Sequence, residues 1–258
     1  AIPHGRKTAI LLSHDVDAQD SFRNSIDYAE MERLHGVRST FFITTKTFKD
    51  ESDIAYYDAE RIGYLRKVRE LGGDIGSHSV SHSKRFEKFP LGNPVRDIAQ
   101  YNPVSAPTVM GEVFVSKRLL DRDVSGQDTR AFRAGELRVP DGLATALERS
   151  GYRIDSSFSA NDIMINFPYR MLEGTTVAAK VSGIVEIPVT FDDSQGYLTA
   201  KNMHSMIKTW IDVIGANADN GAISVLLIHP SVTSFKLKTE DLLLDALEGE
   251  DIWIGDMT

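Results

Sequence analysis

Short apolar runs alternate with amphipathic stretches along almost the whole chain, and this alternation limits the fold more than any other feature. Residues 8–12 read as a buried strand, followed by a helical pattern over about 21–34 that Gly36 ends. Residues 39–44, Ser-Thr-Phe-Phe-Ile-Thr, make the next strand, rich in β-formers. A charged helix over 54–71 closes at Gly72-Gly73, and 74–76 is a short strand. Further on, 141–151 reads as a helix with Asp141 as its N-cap, and 152–156 as a strand. Strands at 184–189, 222–228 and 252–254 and helices at 202–214 and 239–247 complete the series. Repeated strand–helix units imply parallel strands joined by right-handed crossovers. About seven strands suit an α/β barrel or a doubly wound sheet.

One stretch interrupts the pattern. Residues 83–110 hold four of the nine prolines (Pro90, Pro94, Pro103 and Pro107) and show little helical or strand period. A long irregular stretch within a compact domain is usually functional or mobile. Because alternation resumes on both sides, we read it as an insertion over a site in a single domain spanning 1–258. A chain of 258 residues can bury a sizeable core without staples, and with no Cys it has no disulfide. The net charge of −8 argues against a nucleic-acid or anionic-membrane partner. No apolar run approaches the ~18 residues of a membrane span. The chain begins at Ala1 rather than Met, as expected of a processed protein or part of a longer one. A periplasmic, extracellular or cell-envelope setting is the expectation, with the cytoplasm as the alternative.

In both candidate architectures, active residues sit at the carboxyl ends of strands. The first strand runs into Ser-His-Asp-Val-Asp at 13–17, the third into Gly-Ser-His-Ser-Val-Ser-His at 76–82. A later segment gives Phe-Arg-Ala-Gly at 132–135, and the apolar strand near the C-terminus gives Leu-Leu-Ile-His-Pro at 226–230. His78 and His82 are spaced so that both imidazoles can face one cation such as Zn²⁺ on a helical turn; a pair of capping or solvent-facing His is the alternative. Ser79 follows His78 where a zincin protease would have Glu, so that class is disfavoured. Asp15 and Asp17, two apart, share a face of an extended chain; otherwise they belong to an Asx-rich turn capping the following helix. An aspartate with two His makes a three-ligand set that leaves positions open for water or substrate, as catalytic metal sites do. Arg133, between Phe132 and Ala134, is expected to have a part-buried backbone and a paired charge; a solvated surface Arg is the alternative. His229 is either a satisfied core His or a general acid at a strand tip. His4, His35 and His204 take no role.

Taken together, these segments resemble the polysaccharide deacetylase family, of the NodB-homology, carbohydrate esterase 4 type. The opening motif has the Asp-x-Asp form rather than an adjacent pair, Gly135 stands where many members have Pro, and 76–82 matches the family's metal motif most closely. Ser-Thr-Phe-Phe-Ile at 39–43 and Val-Glu-Ile-Pro-Val at 185–189 also look familial. The family's Asp-Trp element has no matching Trp, and Asp155 is a loose candidate for its Asp. The resemblance implies a distorted (β/α)7 TIM-like barrel with one divalent metal, most often Zn²⁺, with Co²⁺ or another transition metal as alternatives. It implies that Asp17, His78 and His82 bind the metal, that Asp15 is the general base oriented by Arg133, and that His229 is the general acid. The implied activity is hydrolysis of a linear amide, removing N-acetyl groups from an N-acetylated oligo- or polysaccharide. Alternatives are an O-acetyl esterase, a small cyclic-amide hydrolase, or a non-catalytic glycan-binding or assembly module.

Overall fold

A computed structural model describes residues 2–50, 53–173, 179–193 and 198–258. The expected alternation is present as β1 (Thr8–Val16), α1 (Gln19–Leu34), β2 (Thr40–Ile43), α2 (Ala59–Glu70) and β3 (Asp74–Ser77). After the inserted segment come α3 (Val109–Asp123), β4 (Ala131–Phe132), α4 (Leu143–Ser150), β5 (Ile154–Asp155) and the single turn α5 (Ala160–Ile163). The chain finishes with β6 (Tyr169–Glu173), β7 (Lys180–Glu186), β8 (Phe191–Asp192), α6 (Met203–Asp219), β9 (Ser224–Leu227), α7 (Phe235–Leu247) and β10 (Ile252–Gly255).

The strands form one sheet in the order β6-β7-β5-β4-β3-β2-β1-β9-β8, with β10 paired to the start of β1. Every pairing is parallel except the β6–β7 hairpin at the edge. The stretch from β7 to β8 pairs with β5 at one end and with β9 at the other, so the sheet curls round into a half-barrel. Helices coat its outside, α1 against α2 and α7, α3 against α4, and α6 against α7.

Side-chain parity sorts each strand between two cores, because successive residues point to opposite faces. Leu11, Phe42, Ala131, Val225 and Leu227 pack together inside the curl. Ile10, Leu12, Val16, Phe41, Ile43, Leu226 and Ile228 face the helices. The parity of the inner set carries forward along each strand to Asp15, Arg133 and His229.

Several boundaries differ from the sequence reading, each for a local reason. Asp141 does not cap α4; Gly142 is the N-cap, in a left-handed conformation (φ 79°) that suits glycine. Helix α3, which starts inside the stretch read as irregular, has Thr108 as its N-cap, the hydroxyl accepting from the Gly111 N–H at 3.1 Å. The inserted segment itself folds back on α3 through Val109 N–H to Pro90 C=O and Met110 N–H to Leu91 C=O, both 3.0 Å. The C-terminal signal of α1 is as expected, with Gly36 at φ 70° and Val37 N–H closing on the Glu32 carbonyl at 3.0 Å.

His14 has the opposite parity to Asp15 and enters the helical layer, where it ties four elements together. Its ring lies between Phe41 and Tyr28, with centroids 4.7 and 4.9 Å away. Nδ1 donates to the Ile228 carbonyl (3.0 Å), and Nε2 lies 2.8 Å from Glu32 Oε1 of α1 and 3.7 Å from Glu240 Oε1 of α7. Glu32 Oε2 also accepts from the Ser39 hydroxyl at 2.8 Å. All three side chains are buried. Burial alone would lower the His14 pKa, but Glu240 and Glu32 overcome it and raise it to about 9. Burial, with Glu32 alongside, pushes the Glu240 carboxyl well up, against the pull of His14. Near neutrality His14 is thus an imidazolium, and Glu240 holds its proton to higher pH than an ordinary carboxyl.

Both raised groups bind protons more tightly in the folded chain, so stability falls as pH rises. The His14 share is complete below its ordinary pKa of 6.5 and is lost as pH passes about 9. Thermal melts between pH 6 and 10 are expected to show this loss, and Glu240→Gln to flatten it by roughly 5 °C or more at the alkaline end. Parallel profiles for the two proteins would contradict the assignment.

Candidate active site

The inward parity of β1, β3, β4 and β9 delivers the predicted side chains to a single cavity of about 910 Å³ at the carboxyl ends of the strands. Asp15, Asp17, His78, His82 and His229 all line it. Neither aspartate is the N-cap of α1, a position held by Ala18. No residue of 83–110 lines this cavity among the described residues.

Arg133 lies beneath the cavity, fully buried. Its Nη1 donates to Asp15 Oδ1 (2.8 Å), its Nη2 to the hydroxyls of Ser13 (3.0 Å) and Ser156 (2.9 Å), and its Nε to the Ser156 carbonyl (2.9 Å). The guanidinium carbon sits 4.3 Å from the Phe42 ring centroid, a cation–π contact. Burial would raise the Asp15 carboxyl, but Arg133, then His78 and His229, hold it down to about 2. Asp15 is therefore an anion across the working pH range.

His78 donates its Nδ1–H to the Arg133 carbonyl at 2.8 Å, which leaves the Nε2 lone pair facing the cavity, 3.5 Å from Asp15 Oδ2. This is how metal-binding imidazoles are commonly oriented. The His82 ring centroid is 4.9 Å from that of His78, and its Nε2 is 3.7 Å from Asp17 Oδ2. A Cβ at Gly135 would come within 2.7 Å of the His82 ring, so a glycine there leaves that ring its place. Burial brings both imidazoles down to about 4, keeping them neutral as metal binding requires. Burial also raises the Asp17 carboxyl, so this group gains from a cation. The donor set of one carboxylate and two neutral imidazoles fits a divalent ion of the zinc type.

Among the described residues, the groups with three donor atoms all within 4.8 Å of one another are His14–Glu32–Glu240 and Asp192–Asp193–His229. Either is a candidate cation site by donor proximity alone. The first lies buried in the helical layer. The second opens a part of the cavity that sequence reasoning missed. His229 donates its Nδ1–H to Asp193 Oδ1 at 2.6 Å, the same oxygen accepts the His229 backbone N–H at 3.1 Å, and Lys236 Nζ is 2.8 Å from Asp193 Oδ2. The His229 Nε2 faces the cavity, 3.9 Å from Asp17 Oδ2. Burial would lower the His229 pKa, but Asp193 and the cavity aspartates raise it to about 9, leaving a protonated acid at neutral pH.

Asp155 has the wrong parity for the cavity. It is buried beside Glu186, and its Oδ1 accepts from the Ser157 hydroxyl. Burial raises both carboxyls. The carboxylate that supports the strand-tip histidine is Asp193, separated from His229 by 36 positions. Its only sequence signal was an aspartate pair closing the strand that neighbours the one carrying His229.

The sequence matches no protein-family model and no curated protein. Solved structures do match. A protein of Mycobacterium smegmatis described as a polysaccharide deacetylase superposes with a TM-score of 0.71 at 17% identity, over 100% of this chain and 90% of that one. A family 4 carbohydrate esterase from Streptomyces lividans gives 0.56 at 13% identity, over 98% and 95%. A CE4 family pseudoenzyme from Bacillus anthracis gives 0.57 at 12%, over 98% of this chain and 64% of that one. At these identities the likeness is one of fold, and the chain has the NodB-type (β/α)7 half-barrel seen in carbohydrate esterase 4 structures.

Proposed function

We propose that this chain is a metal-dependent polysaccharide deacetylase, hydrolysing the N-acetyl groups of an N-acetylated glycan. The observation that carries the reading is geometric: one cavity brings together Asp15 paired with Arg133 (2.8 Å), His229 held by Asp193 (2.6 Å), and Asp17 with two imidazoles, so that Asp15 is pushed toward its anion and His229 toward its cation. Environments that push two titratable groups apart in this way define a base and an acid.

Asp17, His78 and His82 would hold the ion. A divalent ion bound there supplies Lewis acidity, polarising the acetamide carbonyl and bringing the pKa of water toward ~7. Asp15 takes the proton of the attacking water, and Arg133 keeps that carboxylate ionised and aimed. His229 gives its Nε2 proton to the departing nitrogen as the C–N bond breaks. Asp193, anchored by Lys236, holds the Nδ1–H and so fixes which nitrogen faces the substrate. The products are acetate and a free amine.

The walls favour a glycan over a small imide. The cavity is open and polar, with Ser159, Asn161, Thr190 and Ser231 able to meet sugar hydroxyls. An O-acetyl ester is the second reading, favoured by the esterases that share the fold. An amide nitrogen needs protonation to leave more than an ester oxygen does, which makes the strongly held His229 proton more useful against amides. A glycan substrate of this type puts the work at the cell envelope or outside the cell. No helix among the described residues is long and apolar enough to cross a membrane.

Protein loaded with Zn²⁺ or Co²⁺ is expected to release acetate from acetylated chito-oligosaccharides faster than from acetyl-xylan, and not to open small imides. The reverse order would move the reading to the esterase, and no turnover on any of them would leave a binding module. Asp15→Asn should keep its metal by elemental analysis and lose at least about 100-fold in kcat, in line with loss of a general base. Near-normal turnover in that variant would remove Asp15 from the chemistry.

A further inference from the structure

The turn that carries the two imidazoles is backbone-strained and held from outside. Ser79 and His82 adopt φ of 68° and 51°, left-handed values unusual for residues other than glycine. Such a conformation persists only where its surroundings impose it. Thr45 N–H reaches the Ser79 carbonyl at 3.1 Å, and Lys46 Nζ reaches the Ser81 carbonyl at 3.1 Å. Two of the three N–H groups between the histidines, those of Val80 and Ser81, go to one atom, Glu112 Oε2 of α3, at 2.9 and 2.8 Å. The other oxygen of that carboxylate accepts from the Tyr101 hydroxyl at 2.7 Å. Tyr101 belongs to the inserted segment, and both side chains are buried, Glu112 completely.

The packing is specific to this pair. A Cβ at Gly111 would overlap the Tyr101 ring, so only glycine on this face of α3 lets the ring reach the next residue's carboxylate. Val95 and Ile98 of the same segment pack on the main core, giving Tyr101 a fixed base. The insertion therefore does not roof the cavity; it reaches the site from behind.

We propose that Glu112 and Tyr101 are positioning residues for the ion, and that the inserted segment sets ion affinity by bracing the turn between His78 and His82. The inference rests on the reading of these histidines as ion ligands. Outer partners that orient ligands commonly change metal affinity by 10–100-fold. Ion binding and bracing are linked, so the factor by which the brace tightens the ion equals the factor by which the ion tightens the brace.

The test is Co²⁺ affinity, measured by competition with a chromophoric chelator and by the visible spectrum of the bound ion, alongside thermal melts. Tyr101→Phe, which removes one oxygen, is expected to weaken Co²⁺ about 10-fold, and Glu112→Ala by up to about 100-fold. Glu112→Gln should recover most of the loss, since its carbonyl can accept both N–H groups and its amide can donate to the tyrosine oxygen. Leu119→Ala, a buried cavity in α3 away from the turn, serves as the control for plain destabilisation and should bind Co²⁺ within about twofold of the parent. Should Glu112→Ala fail to fold, Tyr101→Phe decides. Parental affinity in folded Tyr101→Phe overturns the inference alone, as does an equal loss in Leu119→Ala. A parent protein that takes up neither Co²⁺ nor Zn²⁺ overturns the ligand reading and this inference with it.

Discussion

The buried ion pair between Arg133 and Asp15 is the constraint on which the candidate site depends. A guanidinium taken wholly out of water is tolerated only if its N–H groups find acceptors, and here they find Asp15, two serine hydroxyls and a carbonyl. These partners lie on β1 and just beyond β5, while the Arg133 main-chain carbonyl accepts from His78 beyond β3. One residue after β4 thus fixes Asp15, one imidazole and the spacing of neighbouring strand ends. Removing either charge of such a pair leaves the other buried and uncompensated, which costs about 3–5 kcal/mol in comparable cases. The chemistry and the fold cannot easily be separated at this point.

The rest of the site follows the same pattern of cavity groups set by partners behind them. His78 is oriented by a carbonyl, His229 by Asp193 with Lys236 beyond it, and the turn between the histidines by Glu112 and Tyr101. Strain is concentrated there as well, in the left-handed Ser79 and His82 on one wall and Glu136 and Leu137 on the other. A layer of partners that over-determines the backbone is what keeps such conformations populated without a ligand.

Much of this was legible in the chain because a strand has a period of two. Once β1, β4 and β9 are placed, the parity of Leu11, Ala131 and Leu227 predicts that Asp15, Arg133 and His229 point inward and His14 outward. What stayed hidden was long-range. Asp193 reaches His229 only because β8 and β9 pair in parallel, a register that no local pattern encodes. Glu112 reads as an ordinary polar position on an amphipathic helix, and Tyr101 as one aromatic in a proline-rich stretch. Helix α3 was obscured because its first residues fall in the region whose prolines dominated the reading. Asp155 and Glu186 each sit one position away from inward-facing neighbours, so a motif-based assignment of Asp155 fails by parity.

The fold by itself does not decide whether the site works, since its relatives in shape include a pseudoenzyme and a mutant of it with restored enzymatic activity. In those relatives activity is lost and restored while the fold stays the same. The relevant comparison is electrostatic. A fully desolvated arginine under an aspartate, and a doubly bonded carboxylate behind a strand-tip histidine, each cost desolvation energy that an apolar pair would avoid. Here both are intact, and they act in opposite directions on two groups that face one cavity. Arg133 strips the proton from Asp15, and Asp193 retains the proton on His229. That opposition is what the proposed acid–base hydrolysis of an amide requires.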